Sequence, residues 1–164
     1  MIVLLCLIAQ RFLRPADPAS NFSFDSAGPY LVERVVDGDT LLLAGGTRVR
    51  LLGVDTPETK HPRRPVEPLG PEASKFTRAH VEGRKVMLKF DRERRDRYRR
   101  VLAYVYLGEW CLNEELIRAG YSRAETGFPY SSVMKRRFRA AEQNARDARR
   151  GLWGLEEFAS GIAE

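Results

Sequence analysis

Residues 47–58 read TRVRLLGVDTPE, a strand that runs into a charged turn. Its first eight residues, 47–54, have the apolar and β-branched content of a strand. Alternation along a strand puts Arg48, Arg50 and Leu52 on one face and Val49 and Leu51 on the other. An arginine inside an otherwise apolar strand needs a partner or a ligand, because a buried charge left alone is costly. The stretch ends in Asp55-Thr56-Pro57-Glu58. Pro57 fixes its own φ and pushes Thr56 towards the extended region. The turn is therefore stiff, and the carboxylates of Asp55 and Glu58 keep a fixed relation.

On the upstream side, residues 30–36 (YLVERVV) suit a strand, Asp37-Gly38-Asp39 is a turn signal, and residues 40–43 form the next strand. Gly45-Gly46 marks a hairpin into the stretch quoted above. On the downstream side, residues 55–69 form a loop dense in proline and charge. Gly70-Pro71-Glu72 opens a helix, with proline in the first turn and an acid at the positive end of the dipole. Ala73, Phe76 and His80 form one stripe of it. Residues 85–90 (KVMLKF) and 101–106 (VLAYVY) are two further strands, the second turning at Gly108. Residues 112–119 are a helix stopped by Gly120. Met134, Phe138, Ala141, Ala145 and Ala148 recur at helical spacing, up to a stop at Gly151. The order is three strands, a helix, two strands, two helices. Short antiparallel connections exclude a parallel βαβ sheet. The expected class is α+β, mainly β: a five-stranded Greek-key barrel of the OB type with three helices packed on it.

The chain has 164 residues, 43% hydrophobic and 30% charged, which suits one globular domain. Residues 29–155 are expected to be that domain, between a leader or linker (1–28) and a tail (156–164). The formal net charge is +6, which favours polyanionic partners. The basic residues concentrate in 84–100 (RKVMLKFDRERRDRYRR) and 135–150 (KRRFRAAEQNARDARR). Two cysteines, Cys6 and Cys111, make neither a disulfide framework nor a zinc site. Cys111 reads as a small buried hydrophobe, and His61 and His80 as surface or loop residues. Residues 1–9 (MIVLLCLIA) are too short to span a bilayer, which takes about 20 residues. They have the length of a secretory apolar region and point to export, with an apolar strand or helix tucked onto the domain, or a membrane tether, as the alternatives.

Cutting a phosphodiester requires cations around an anionic substrate, a base for water and fixed geometry. Asp37 and Asp39 bracket a strand start; Asp55 and Glu58 bracket a strand end. If their strands are neighbours, Asp39 and Asp55 meet at one end of the barrel. Oxygen ligands without nitrogen or sulfur suit Ca²⁺ or Mg²⁺ rather than zinc. Arg50 and Arg100 supply guanidinium forks that match phosphate oxygens.

Four blocks, VVDGDTLLL, RLLGVDTPETKHP, GPEASKFT and DRYRRVLAYVY, in this order and spacing resemble the staphylococcal nuclease (thermonuclease) family. The likeness runs from about residue 32 to residue 153. It implies a Ca²⁺-dependent nuclease acting on DNA or RNA on an OB barrel with three helices. The chain is expected to work as a monomer, and the lack of a base-reading motif points to low sequence preference. It implies that Asp39, Asp55 and the carbonyl of Thr56 bind a single calcium ion. Glu58 matches the general base, and Arg50 and Arg100 the phosphate-binding arginines. Tyr98 matches a tyrosine beside the nucleotide, and Asp37 an acid close to the metal. Arg99, beside the phosphate site, stands where the family commonly has glycine. Residues 126–130 (TGFPY) match an aromatic segment near the base, where Phe128 or Tyr130 would stack or pack. Two rivals remain: an OB module that binds nucleic acid without cutting it, and a membrane-surface or interaction protein, which leaves the carboxylate–arginine set unexplained.

Overall fold

The computed structural model describes residues 26–59 and 67–155. The expectations for the apolar leader, Cys6, His61 and the tail 156–164, and the 60–66 part of the proline-rich loop, lie outside the described residues. Among those described, no helix is long and apolar enough to cross a membrane.

Strands β1 (Ser26–Asp37), β2 (Thr40–Leu43) and β3 (Arg48–Leu51) form an antiparallel meander. The register between β1 and β2 shifts twice, at Val32/Arg34 and Val35/Asp37. Such irregularities bend and twist a strand, and β1 also pairs with β5 (Lys85–Lys89). β6 (Val101–Leu107) runs antiparallel to β5 and parallel to β3. The β3–β6 pairing closes five strands into a barrel, as expected for an OB fold. Inward residues alternate along the strands: Val32, Leu41, Val49, Leu51, Val86, Ala103 and Val105 are all buried. Helices α1 (Gly70–Val81), α2 (Leu112–Arg118) and α3 (Ser132–Asp147) pack around it, followed by a 3-10 turn, Gly151–Gly154.

The single strand expected over residues 47–54 is broken. β3 ends at Leu51, and β4 (Val54–Asp55) begins after a turn at Leu52-Gly53. Gly53 has φ 74°, and a Cβ there would lie 2.8 Å from both Phe138 Cε2 and Tyr130 Oη. Only glycine satisfies both constraints. Leu52 consequently leaves the arginine face and is buried. β4 pairs with β8 (Arg123–Ala124), and β7 (Trp110–Cys111) folds back on β6. These two-residue strands carry too little pattern to read from sequence. β1 also starts four residues before the expected Tyr30.

The stripe expected on α1 is displaced as well. Its buried face is Ala73, Ser74, Thr77 and Val81. Phe76 and His80 lie at the edge, where the His80 ring stacks on Trp110 at 5.0 Å. The helix sits over the polar turn after β1, so its inner face must be small and able to donate hydrogen bonds. Thr77 Oγ1 donates to the Gly38 carbonyl at 2.6 Å, and Ser74 Oγ to Asp37 at 3.0 Å. α3 follows the sequence reading in burying Met134, Phe138, Ala141 and Ala145, but it ends at Asp147, and Ala148, expected in the same stripe, is its exposed C-terminal cap. Cys111 is buried as expected, and burial pushes its thiol up to about 11.

Asn113, fully buried in the first turn of α2, ties three segments together. Its Oδ1 accepts the Val105 N–H at 2.9 Å. Its Nδ2 donates to the carbonyls of Leu52 at 2.9 Å and Ala103 at 3.2 Å. It thereby fixes the turn that aims Asp55. Asn113→Ala removes three bonds and orphans buried backbone groups. It is expected to cost about 3 kcal/mol, read from the urea midpoint; a loss below about 1 kcal/mol would show the latch to be dispensable.

Candidate active site

The site is built on one end of the barrel, where four chain segments deliver charged side chains. Asp39 lies in the turn between β1 and β2, and Arg50 on β3. Asp55 is on β4, with Thr56 and Glu58 directly after it. Arg100 stands immediately before β6. With Asp37, Thr40 and Glu67 they line a pocket of about 320 Å³.

Arg50 finds the partners that an arginine in an apolar strand requires. Nη1 lies 3.1 Å from Asp39 Oδ2 and Nη2 lies 2.6 Å from Asp55 Oδ1. Nη1 also donates to the carbonyls of Val54 and Leu51. These carbonyls are within reach because the chain turns at Gly53. Nε–H and one N–H of Nη2 make no hydrogen bond among the described residues.

Asp39 is pinned from several sides. Oδ2 accepts the Thr56 N–H at 3.0 Å and Thr56 Oγ1–H at 3.2 Å, and Oδ1 accepts Thr40 Oγ1–H at 2.9 Å. A Cβ on Gly38 would come within 2.6 Å of Thr56 Oγ1, so the residue before Asp39 has to be small. Asp55 is held through its backbone, whose N–H donates to Ser122 Oγ at 2.9 Å. Its carboxyl is raised above the ordinary range, first by desolvation in the pocket, then by the charges of Asp39 and Glu67, against the pull of Arg50. The side chain still shows 68% of its surface to solvent, so this desolvation is that of a concave wall rather than a core.

Glu58 is positioned by reciprocal bonds with Glu67: each backbone touches the other residue, Glu58 N–H to Glu67 Oε2 at 3.1 Å and Glu67 N–H to the Glu58 carbonyl at 3.1 Å. Its side chain shares a hydrogen bond with Asp37. Asp37 Oδ1 also accepts from the Gly38 N–H, Thr59 Oγ1 and Ser74 Oγ. Burial alone would raise the Asp37 carboxyl; these bonds, that with Glu58 foremost, bring it below its ordinary value. Asp37 thus locks the turn to α1 and to the loop bearing Glu58.

Arg100 is oriented by Asp96, which the sequence reading passed over. Asp96 Oδ2 accepts Arg100 Nε–H at 2.7 Å, and Oδ1 accepts the backbone N–H of Tyr98 and of Arg100, both at 2.9 Å. Burial would raise Asp96, but the Arg100 bonds hold it below the usual carboxylate range. Both Nη groups of Arg100 make no hydrogen bond among the described residues. An aspartate opening a turn four residues before an arginine was the available signal for this role. Glu67 gave none, because its partner lies across a loop.

Among the described residues, no three His, Cys, Asp or Glu side chains gather into a metal cage. Asp39 and Asp55 nonetheless offer hard oxygen donors, and the Thr56 carbonyl accepts no hydrogen bond among those residues. Two carboxylates and a carbonyl fit the oxygen-donor preference of a hard divalent cation.

A family model described as Staphylococcal nuclease homologue matches residues 48–154. The chain belongs to the staphylococcal nuclease family. It is 39% identical over 156 residues to a Thermonuclease of Staphylococcus intermedius, covering 93% of this chain and 92% of that one. A Thermonuclease of Staphylococcus hyicus is 35% identical over 158 residues, with 93% of each covered. Endonuclease YncB of Bacillus subtilis is 38% identical over 126 residues, covering 74% of this chain and 60% of that one.

Two further sequence expectations, residues 126–130 and Arg99, can be placed in this member of the staphylococcal nuclease family. In the 126–130 segment Tyr130 is buried against Tyr104 and Phe138, whereas Phe128 is 61% exposed. Arg99 has φ 65°, a left-handed conformation in which a side chain is strained. This explains why glycine suits the position. Arg99→Gly is expected to raise stability by up to about 1 kcal/mol, read as a higher urea midpoint. An unchanged or lower midpoint would show that the strain is relieved elsewhere.

Proposed function

We propose that this phosphodiester hydrolase of the staphylococcal nuclease family requires Ca²⁺ and cuts DNA or RNA with little sequence preference. One observation carries the reading: a single polar pocket gathers two carboxylates, a third carboxylate on a stiff turn, and two arginines with uncommitted N–H groups. Asp39, Asp55 and the Thr56 carbonyl would hold the ion, which when bound offsets the charge of the phosphate. Arg50 and Arg100 donate hydrogen bonds to the equatorial phosphoryl oxygens as negative charge builds on them. Asp96 keeps the Arg100 fork turned to the pocket. Glu58 accepts a proton from the attacking water, whose oxygen bonds to phosphorus as the opposite P–O bond breaks. The departing oxygen is protonated from solvent. Tyr98, 64% exposed beside Arg100, borders the strand together with Arg99. Asp37 holds the Glu58 loop.

These roles predict a pattern of losses in digestion assays. Removing one group that stabilises the transition state costs on the order of 10²–10³ in rate. Glu58→Gln is expected to fall by that amount. So are Arg50→Lys and Arg100→Lys, which keep the charge and lose the fork. Wild-type rates in the lysine variants would count against bidentate binding of phosphate. Excess EGTA is expected to abolish cutting while DNA binding persists in part; full cutting in EGTA would sink the calcium requirement. Binding without cutting in saturating Ca²⁺ would favour a non-catalytic OB module.

A further inference from the structure

A second concavity adjoins the active-site pocket, with the reverse balance of charge. It has a volume of about 290 Å³ and lies between the β2–β3 hairpin and the loop before β6. Its walls are Gly45, Gly46, Thr47, Arg48, Arg95, Tyr98, Arg99 and Arg100. Four of these are arginines and none is an acid. The first pocket, by contrast, has five acids against two arginines. Arg100 lines both, so the two hollows are contiguous.

The arginines here are not consumed by the fold. Arg48, Arg95 and Arg99 are exposed, and none has an acidic partner among the described residues. The guanidinium of Arg95 donates to the Arg99 carbonyl at 3.1 Å. That bond braces the loop, whose Arg95 and Arg99 line the same groove. Like charges gathered in this way repel, and a bound anion relieves that repulsion. The hairpin opposite leaves room: a Cβ on Gly45 or Gly46 would meet nothing within 4 Å. Two basic residues of α3 behave differently. Arg137 pairs with Glu114, and Arg146 pairs with Glu142 and lies 3.7 Å over the Trp153 ring. These two are engaged within the fold, and α3 does not adjoin the active-site pocket as the groove does.

We propose that this groove is a phosphate subsite for the part of a single nucleic-acid strand that continues beyond the scissile phosphodiester, gripped by Arg48, Arg95 and Arg99. The inference rests on the nuclease reading of the adjoining pocket and extends it. The occupant is a strand rather than a free anion because Arg100 joins the groove to the scissile phosphate. The exposed Tyr98 ring at the boundary, with the Arg97 guanidinium at 4.8 Å, offers an unpaired base a surface to stack on.

The test measures binding of labelled single-stranded octanucleotides and dinucleotides, with Glu58→Gln to stop cutting. Arg48→Ala and the pair Arg48→Ala/Arg95→Ala are compared with Arg48→Lys, which keeps the charge. Arg48 is an exposed strand residue, so its substitution leaves the fold intact. At low salt the octanucleotide is expected to bind roughly fivefold more weakly for each arginine lost, with the salt slope falling by about 0.7 per contact. The dinucleotide, too short to reach the groove, keeps its affinity, and Arg48→Lys retains most of the octanucleotide affinity. An octanucleotide affinity and salt slope unchanged in the double variant would overturn the subsite. So would wild-type binding that does not rise with length and is displaced by millimolar inorganic phosphate, which would assign the groove to a free anion. Digestion of the octanucleotide by the wild-type chain in Ca²⁺ is scored separately. Its failure would strike the nuclease reading, whereas a length effect lost in the variants is read from binding alone.

Discussion

A guanidinium set in the wall of a small barrel has to be neutralised where it stands, and the active-site end is arranged around that requirement. Arg50 sits between Asp39 and Asp55, and each acid is fixed by groups from other segments. Asp39 is held by the N–H and hydroxyl of Thr56. Asp55 is held by Ser122, from the segment after α2. Withdrawing one partner from such a set leaves a desolvated charge uncompensated, a loss larger than the pair's net contribution. The charges therefore specify the geometry more than they stabilise it. The turn after β1, the end of β3, and β4 are drawn to one point by them.

The same end shows why two neighbouring concavities differ in chemistry. In the first, acids face arginines and each partly satisfies the other, the arrangement that the proposed function uses for a cation and a phosphate. In the second, Arg48, Arg95 and Arg99 stand without acidic partners among the described residues. Arg100 is the hinge of this arrangement, with Nε committed to Asp96 and its Nη groups open to solvent and ligand. A strand whose reacting phosphate lies against Arg100 on one side meets more positive charge on the other. Steering of a polyanion by such a field depends strongly on salt.

Much of this was legible in the chain. The barrel followed from alternating strands and short turns, and its three helices from apolar spacing and glycine stops. Arg50 was conspicuous as a charge in an apolar strand, and Pro57 explained how Asp55 and Glu58 hold a fixed relation. The break at Gly53 was not legible, because it is imposed by Phe138 and Tyr130, far away in sequence. β4 and β8 are two-residue strands whose pairing exists only in three dimensions. Asp96 and Glu67 were missed for a related reason: a carboxylate in a charged loop looks like a solvated surface until its partner is in place. α1 misled in the opposite direction, since Phe76 and His80 promised an apolar stripe while the inner face needed hydroxyls over a polar turn.

In the proposed function Asp39 and Asp55, bridged by Arg50, form a site for one hard cation that acts together with bound phosphate. Calorimetric titration of Ca²⁺ in the presence of a non-hydrolysable dinucleotide tests it most directly, with Asp39→Asn and Asp55→Asn alongside the wild-type chain. The wild type is expected to take up a single ion, more tightly with the dinucleotide than without it, and both variants to bind it far more weakly. Uptake that is indifferent to both substitutions, or no uptake by the wild type with dinucleotide bound, would contradict it.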